Sequence, residues 1–183
     1  MRERLAATLN ALALLAISVV LLFAFYAQFA YGELPCPLCL LHRAGFVMVG
    51  VGLALNVIFG VAPGHYGLMI LGALSGAVPA LRQVALHVVP GTGAYGDPFL
   101  GLHFYTWAFL VFGLVILGSA AMLVLGGFST APARRLSGLG LVAVVFFALM
   151  TLGNGVSTLA ECGLGLCPDN PTSYEALDSL FGR

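Results

Sequence analysis

The chain has 183 residues, of which 61% are hydrophobic and 8% charged, with no lysine and a formal net charge of zero. An ordinary soluble domain carries about 25% charged residues. These figures, with a mean hydropathy of +1.06, exclude a soluble surface and point to an integral membrane protein. Phosphate contacts need a basic arm or stripe, and the chain has none, so no nucleic-acid partner is expected.

Five stretches have the roughly 20 apolar residues that a spanning helix needs: 7–29, 38–59, 66–89, 103–125 and 139–159. The first begins after Arg2 and Arg4, and Ala30-Tyr31-Gly32 resembles a small-x-small cleavage site. Its apolar run exceeds the roughly 7–15 residues of a signal-peptide core, so a retained helix is expected. The second opens on the pair Cys36-Pro37-Leu38-Cys39 and continues through His42 and Arg43. Gly50-Val51-Gly52, and Gly72 to Gly76 in the third stretch, are small-residue surfaces suited to close helix contact. The third stretch also carries Arg82, Gln83 and His87 near its end. The loop 90–102 is rich in glycine and proline and is expected along the membrane interface. His103, Tyr105 and Trp107 open the fourth helix and read as an aromatic belt. Asn56 and Asn154 read as interhelical hydrogen-bonders. The tail 161–183 is the sizeable polar segment and carries Cys162 and Cys167. The expected organisation is therefore a transmembrane bundle over 1–160 and an extramembrane tail over 161–183.

Arginines set the orientation. Arg2 and Arg4 precede the first helix, and Arg134 and Arg135 lie between the fourth and fifth. Four crossings separate the two groups, so both fall on one side, which the positive-inside rule makes cytoplasmic. Glu33, Asp97, Glu161, Asp169, Glu175 and Asp178 then fall on the other side, with both cysteine pairs and the C-terminus. Disulfides persist in that compartment.

A three-residue spacing lets Cys36 and Cys39 meet within one helical turn, and Pro37 is tolerated in the first turn. A helix N-terminus favours thiolate, the form that attacks disulfides. Cys162-Gly163-Leu164-Gly165-Leu166-Cys167 can close a small ring because its glycines permit the turn. Three readings compete: two structural disulfides, a four-cysteine zinc site, and a redox relay. Short rings constrain little chain entropy, and zinc thiolates on an oxidising face tend to oxidise. The relay accounts for spacing and placement together, and no metal is expected. Arg43 lies one turn beyond Cys39 on the same face, where a cation can stabilise a thiolate or a reduced acceptor. Arg82, Gln83 and His42 are candidates for the same pocket.

The run Cys36-Pro37-Leu38-Cys39-Leu40-Leu41-His42-Arg43 resembles the disulfide bond formation protein B (DsbB) family, in which an arginine follows the C-x-x-C pair by four residues. Arg82 to Pro90 and Gly101 to Ala108 are similar to the end of that family's third helix and the start of its fourth. The resemblance implies an all-α, polytopic membrane bundle with a four-helix core, here extended by a fifth helix. It also implies a thiol:quinone oxidoreductase of the bacterial inner membrane. Such an enzyme reoxidises a periplasmic thioredoxin-like (DsbA-like) protein and passes electrons to ubiquinone or menaquinone. Cys39 would then be nearest the quinone, Cys36 would exchange with the second pair, and Arg43 would be the quinone-side cation. Two features depart from the family. The loop 90–102 has no cysteine, so the second pair is Cys162 and Cys167, proposed as catalytic on chemistry alone. Gln83 also stands where a histidine is common. A vitamin K epoxide reductase-like relay and a non-enzymatic membrane protein with structural disulfides remain alternatives.

Overall fold

The structure is a computed structural model that describes every residue except 1, 33, 90, 95, 127–135, 169–170 and 182–183. The side chains of residues 2, 3, 180 and 181 are also outside the description. Arg134, Arg135, Glu33 and Asp169, which entered the orientation argument, lie outside the described residues.

The described chain is all-α: α1 (Arg2–Ala30), α2 (Pro37–Phe59), α3 (Pro63–His87), α4 (Phe104–Gly126), α5 (Gly138–Cys162) and a short α6 (Glu175–Phe181). Five of these are long and apolar enough to cross a membrane, and the chain is a multi-pass membrane protein. Each helix boundary has a local cause. Pro37 and Pro63 occupy first-turn positions of α2 and α3, where the missing N–H costs no hydrogen bond. Ser137 caps α5 by accepting from the Gly140 N–H at 3.1 Å. Gly163, at φ +61, ends α5 by returning its N–H to the Leu159 carbonyl at 2.9 Å. α1 and α3 start before the apolar runs do, because hydropathy registers the lipid-facing core and not the flanking turns.

α2 is central: it packs extensively on α3, and also on α1, α5 and, more slightly, α4. The α2–α3 crossing is close because glycine faces glycine. A Cβ on Gly45 would stand 2.7 Å from the Gly76 Cα. Small residues permit this approach, which brings van der Waals attraction where lipid gives no hydrophobic drive. Phe112 of α4 fills the space over that contact and stacks on Phe46 with ring centroids 4.1 Å apart.

At the end of the bundle away from Cys36, Asn56 donates to Asn10 Oδ1 at 2.9 Å, and Asn10 donates to the Tyr66 hydroxyl at 3.0 Å. This network ties α1, α2 and α3 together. α5 lies against α1 with the two C-terminal ends adjacent, since Gln28 of α1 bonds Ser157 of α5. Both cysteine pairs therefore stand at the same end of the bundle. No close backbone approach joins α1 to α4 among the described residues, and the gap between them is where the cavity opens.

Candidate functional site

Cys36 is the N-cap of α2, with extended backbone (φ −68°, ψ 162°), and its sulfur accepts from the Cys39 N–H at 3.3 Å. Pro35 and Pro37 hold the chain extended on entry and helical directly after. Cys36 and Cys39 are joined as a disulfide, with Cα atoms 5.0 Å apart. Gln83, fully buried on α3, aims its amide N–H at both sulfurs, 3.6 Å from Cys36 and 3.9 Å from Cys39. Cys36 is 6% exposed. Cys39 faces a cavity.

That cavity has a volume of about 520 Å³ and lies between α1, α2, α4 and the loop before α4. It falls within the roughly 300–1,000 Å³ of small-molecule pockets. Its walls are mostly aliphatic and aromatic, with Gln28, Cys39, His42, Arg43 and Gln83 as the convergent polar groups. Phe99 and Leu100 of the loop contribute to its wall. The loop is pinned by a short bridge between Phe99 and Leu102 and by Trp107 Nε1 donating to the Phe99 carbonyl at 2.9 Å. Phe23 of α1 meets Phe99 and Phe104 at centroid distances of 5.3 and 5.4 Å, joining the α1 and α4 walls. The loop therefore contributes Gly96, Phe99 and Leu100 to the cavity wall while keeping Phe99, Leu100 and Leu102 exposed. Tyr105 and Trp107, read as part of an aromatic belt, also line the cavity. His103 stacks on Tyr105 at 5.3 Å, and His87 stacks on it at 5.4 Å.

Arg43 is 9% exposed and is held by a forked set of acceptors. Nη1 donates to Gln28 Oε1 at 2.9 Å and to Asn154 Oδ1 at 3.4 Å, and Nη2 donates to the Ala24 carbonyl at 3.1 Å. Its guanidinium carbon also stands 5.8 Å from the Phe25 ring centroid. A buried cation is tolerable only when its donors are met, and neutral acceptors from α1 and α5 meet them here. His42 is also buried and lines the cavity, and its Nε2 has no hydrogen-bond partner among the described residues.

Cys162 and Cys167 form a second disulfide, with Cα atoms 4.6 Å apart, at the end of α5. Cys162 is 4% exposed, whereas Cys167 is half-buried and Leu164 and Leu166 between them are almost fully exposed. Glu161, at the same end as the cysteine pairs, is fully buried in the last turn of α5. Neither of its carboxyl oxygens has a hydrogen-bond partner among the described residues.

The fold thus brings Cys39, His42, Arg43 and Gln83 to one cavity, with Cys36 directly behind. Arg82, read from the sequence as a neighbour of the same pocket, is exposed and does not line it. It is about 100° round the helix from Gln83, so burying one turns the other outward. Cys162 and Cys167 share the cysteine end but do not line the cavity. Gln28, Ser157 and Tyr174 escaped the sequence reading. A lone glutamine near a helix end carries no motif, and only the contact of α1 with α5 reveals what it joins.

Comparison with known proteins bears on the first half of the chain. The family model for disulfide bond formation protein DsbB matches residues 6–95. A disulfide bond formation protein B of Chromobacterium violaceum is 45% identical over 74 residues, covering 37% of this chain and 43% of that protein. The protein of that name from Nitrosomonas eutropha is 37% identical over 68 residues, covering 35% and 42%. The one from Cupriavidus pinatubonensis is 35% identical over 77 residues, covering 42% and 48%. The matches span less than half the length of these relatives, and the family match ends before α4, α5 and the tail. No solved structure matches the chain significantly. Residues 6–95, which hold the Cys36–Cys39 pair, Arg43 and Gln83, are thus similar to the DsbB family.

Proposed function

We propose that the protein is a membrane thiol:quinone oxidoreductase that reoxidises a thioredoxin-like dithiol protein through two cysteine pairs. The observation that carries this reading is the cavity with Cys39 in its wall and Arg43, His42 and Gln83 around it. The residues fit a quinone ring. The walls are apolar and aromatic, a buried cation is held ready, and Cys39, His42 and Gln83 are the further polar residues in the lining. Arg43, His42 and Gln83 would hold the head group, which when bound supplies a two-electron, two-proton acceptor. Ubiquinone and menaquinone are the candidates. The division into a bundle over 1–160 and a tail over 161–183 belongs to this proposal, as does placement in the bacterial inner membrane. The cysteine end and the C-terminus would face the periplasm, with the N-terminus cytoplasmic.

The steps at the protein's own residues balance. A donor thiolate attacks Cys167, the more accessible sulfur of the tail pair, to form a mixed disulfide and release Cys162 as thiolate. The donor's second thiol then resolves that bond, leaving an oxidised donor and a reduced tail pair. The tail dithiol reduces Cys36–Cys39 by the same two-step exchange. Cys36 and Cys39 re-form their disulfide by giving up two electrons and two protons on the cavity side. Arg43 stabilises negative charge on the Cys39 sulfur and at the acceptor, and Gln83 donates to both sulfurs. The apolar walls of the cavity lower the local dielectric, which strengthens these interactions.

The test is quinone reduction by the purified protein in detergent, followed by ultraviolet absorbance, with a reduced thioredoxin-like protein as donor. Wild type should turn over, and Cys39→Ser and Cys162→Ser should each abolish turnover. Activity surviving in Cys162→Ser would make the tail pair structural. A wild type inert with both quinones and donor would leave the disulfides as structural links.

A further inference from the structure

Arg43 does not hold its position through α2 alone. Its Nη1 donates to Gln28 Oε1 at 2.9 Å. The amide nitrogen of that glutamine donates in turn to the Tyr174 hydroxyl and to Ser157 Oγ, both at 3.0 Å. Ser157 Oγ also returns a bond to Gln28 Oε1 at 3.2 Å. Tyr174 comes from the tail, beyond the Cys162–Cys167 ring and directly before α6. A segment that reads as a free arm therefore folds back to place a hydroxyl against a buried side chain of α1.

The chemistry of Gln28 makes this contact consequential. A primary amide has one carbonyl acceptor and two N–H donors. For the carbonyl to face Arg43, the nitrogen must face the other way, where an acceptor has to meet it. Tyr174 and Ser157 supply those acceptors. Without the Tyr174 hydroxyl, the amide has less reason to hold the orientation that presents its oxygen to Arg43. The reversed orientation would set N–H donors against a guanidinium, which is itself purely a donor.

We propose that Tyr174 is a positioning residue for Arg43, acting through Gln28, so that the tail completes the cation side of the cavity. This rests on the cavity being a quinone site. The tail would then serve the acceptor side of the reaction as well as carrying the second cysteine pair.

Trp107 makes the test direct, because it is the single tryptophan of the chain and lines the cavity. Quenching of its fluorescence by a short-chain benzoquinone reads binding without turnover. The comparison uses full-length wild type, Tyr174→Phe, Arg43→Lys and the double variant, all purified in detergent. Tyr174→Phe removes only a hydroxyl and should bind the quinone about threefold to tenfold more weakly, the effect of one such hydrogen bond. It should raise the quinone KM while leaving the rate of tail-disulfide reduction by the donor unchanged. In the Arg43→Lys background, the Tyr174→Phe step should shrink to less than half, because the forked bond to Gln28 is already lost. A quench curve for Tyr174→Phe that overlays wild type would overturn the proposal, and so would a full-sized loss in the Arg43→Lys background. A wild type with no quench at all would overturn the quinone reading and this inference with it.

Discussion

Gln83 is fully buried, yet its amide N–H points at two sulfurs. A donor bonds a thiolate more strongly than a neutral disulfide, so Gln83 favours the reduced pair. Gln83→Leu should therefore lower the reduction potential of Cys36–Cys39 by about 10–30 mV, the equivalent of one modest hydrogen bond. Equilibration with glutathione buffers of known ratio, in a Cys162→Ser/Cys167→Ser background, measures it. An unchanged or higher potential would remove Gln83 from the redox chemistry. The cysteines, Arg43, His42 and Gln83 were legible as candidates because each is a costly residue type at the edge of an apolar helix. Arg82 was not separable from Gln83 by the same reasoning, since both are polar and adjacent. Only the packed face of α3 distinguishes them.

At the scale of elements, the α2–α3 crossing is the tightest point of the framework that holds the cysteines against Gln83. Gly45 and Gly76 allow it, because a Cβ at Gly45 would meet backbone rather than a side chain able to swing away. Gly45→Ala should cost about 1–3 kcal/mol, as overpacking of a well-filled interior does. It should also lower the thermal midpoint in detergent. Gly113→Ala, where an added Cβ meets nothing within 4 Å, is the matched control and should be neutral or slightly stabilising. Five long helices were plain from apolar length alone. The seven-residue α6 was not, because a short polar helix has too few apolar positions to show a period.

For the whole molecule, the placement of α5 decides whether one reaction can use both cysteine pairs. Its C-terminal end lies beside that of α1 through the Gln28–Ser157 bond, so the tail ring is at the same end as Cys36. If that end faces the periplasm, a membrane-impermeant maleimide added to intact spheroplasts after mild reduction should label Cys167. It should not label a cysteine introduced at Ala62, in the connection between α2 and α3 at the opposite end. The reverse pattern would invert the topology and break the link to a periplasmic donor.

The sequence by itself determined that the chain is a helical membrane protein and that it carries two closely spaced cysteine pairs. Apolar length, the scarcity of charge and the C-x-x-C spacing are local properties, and bilayer thickness and helical pitch translate them directly into structure. Tertiary structure alone decided that α1 and α4 stand apart to leave a cavity and that the loop before α4 contributes to its wall. It also decided that Glu161 is buried and that Arg43 is held from α1, α5 and the tail. These facts depend on which helix faces which. In a bilayer that choice is made by small differences in packing and by the pairing of a few buried polar groups, and it leaves no periodic trace along the chain.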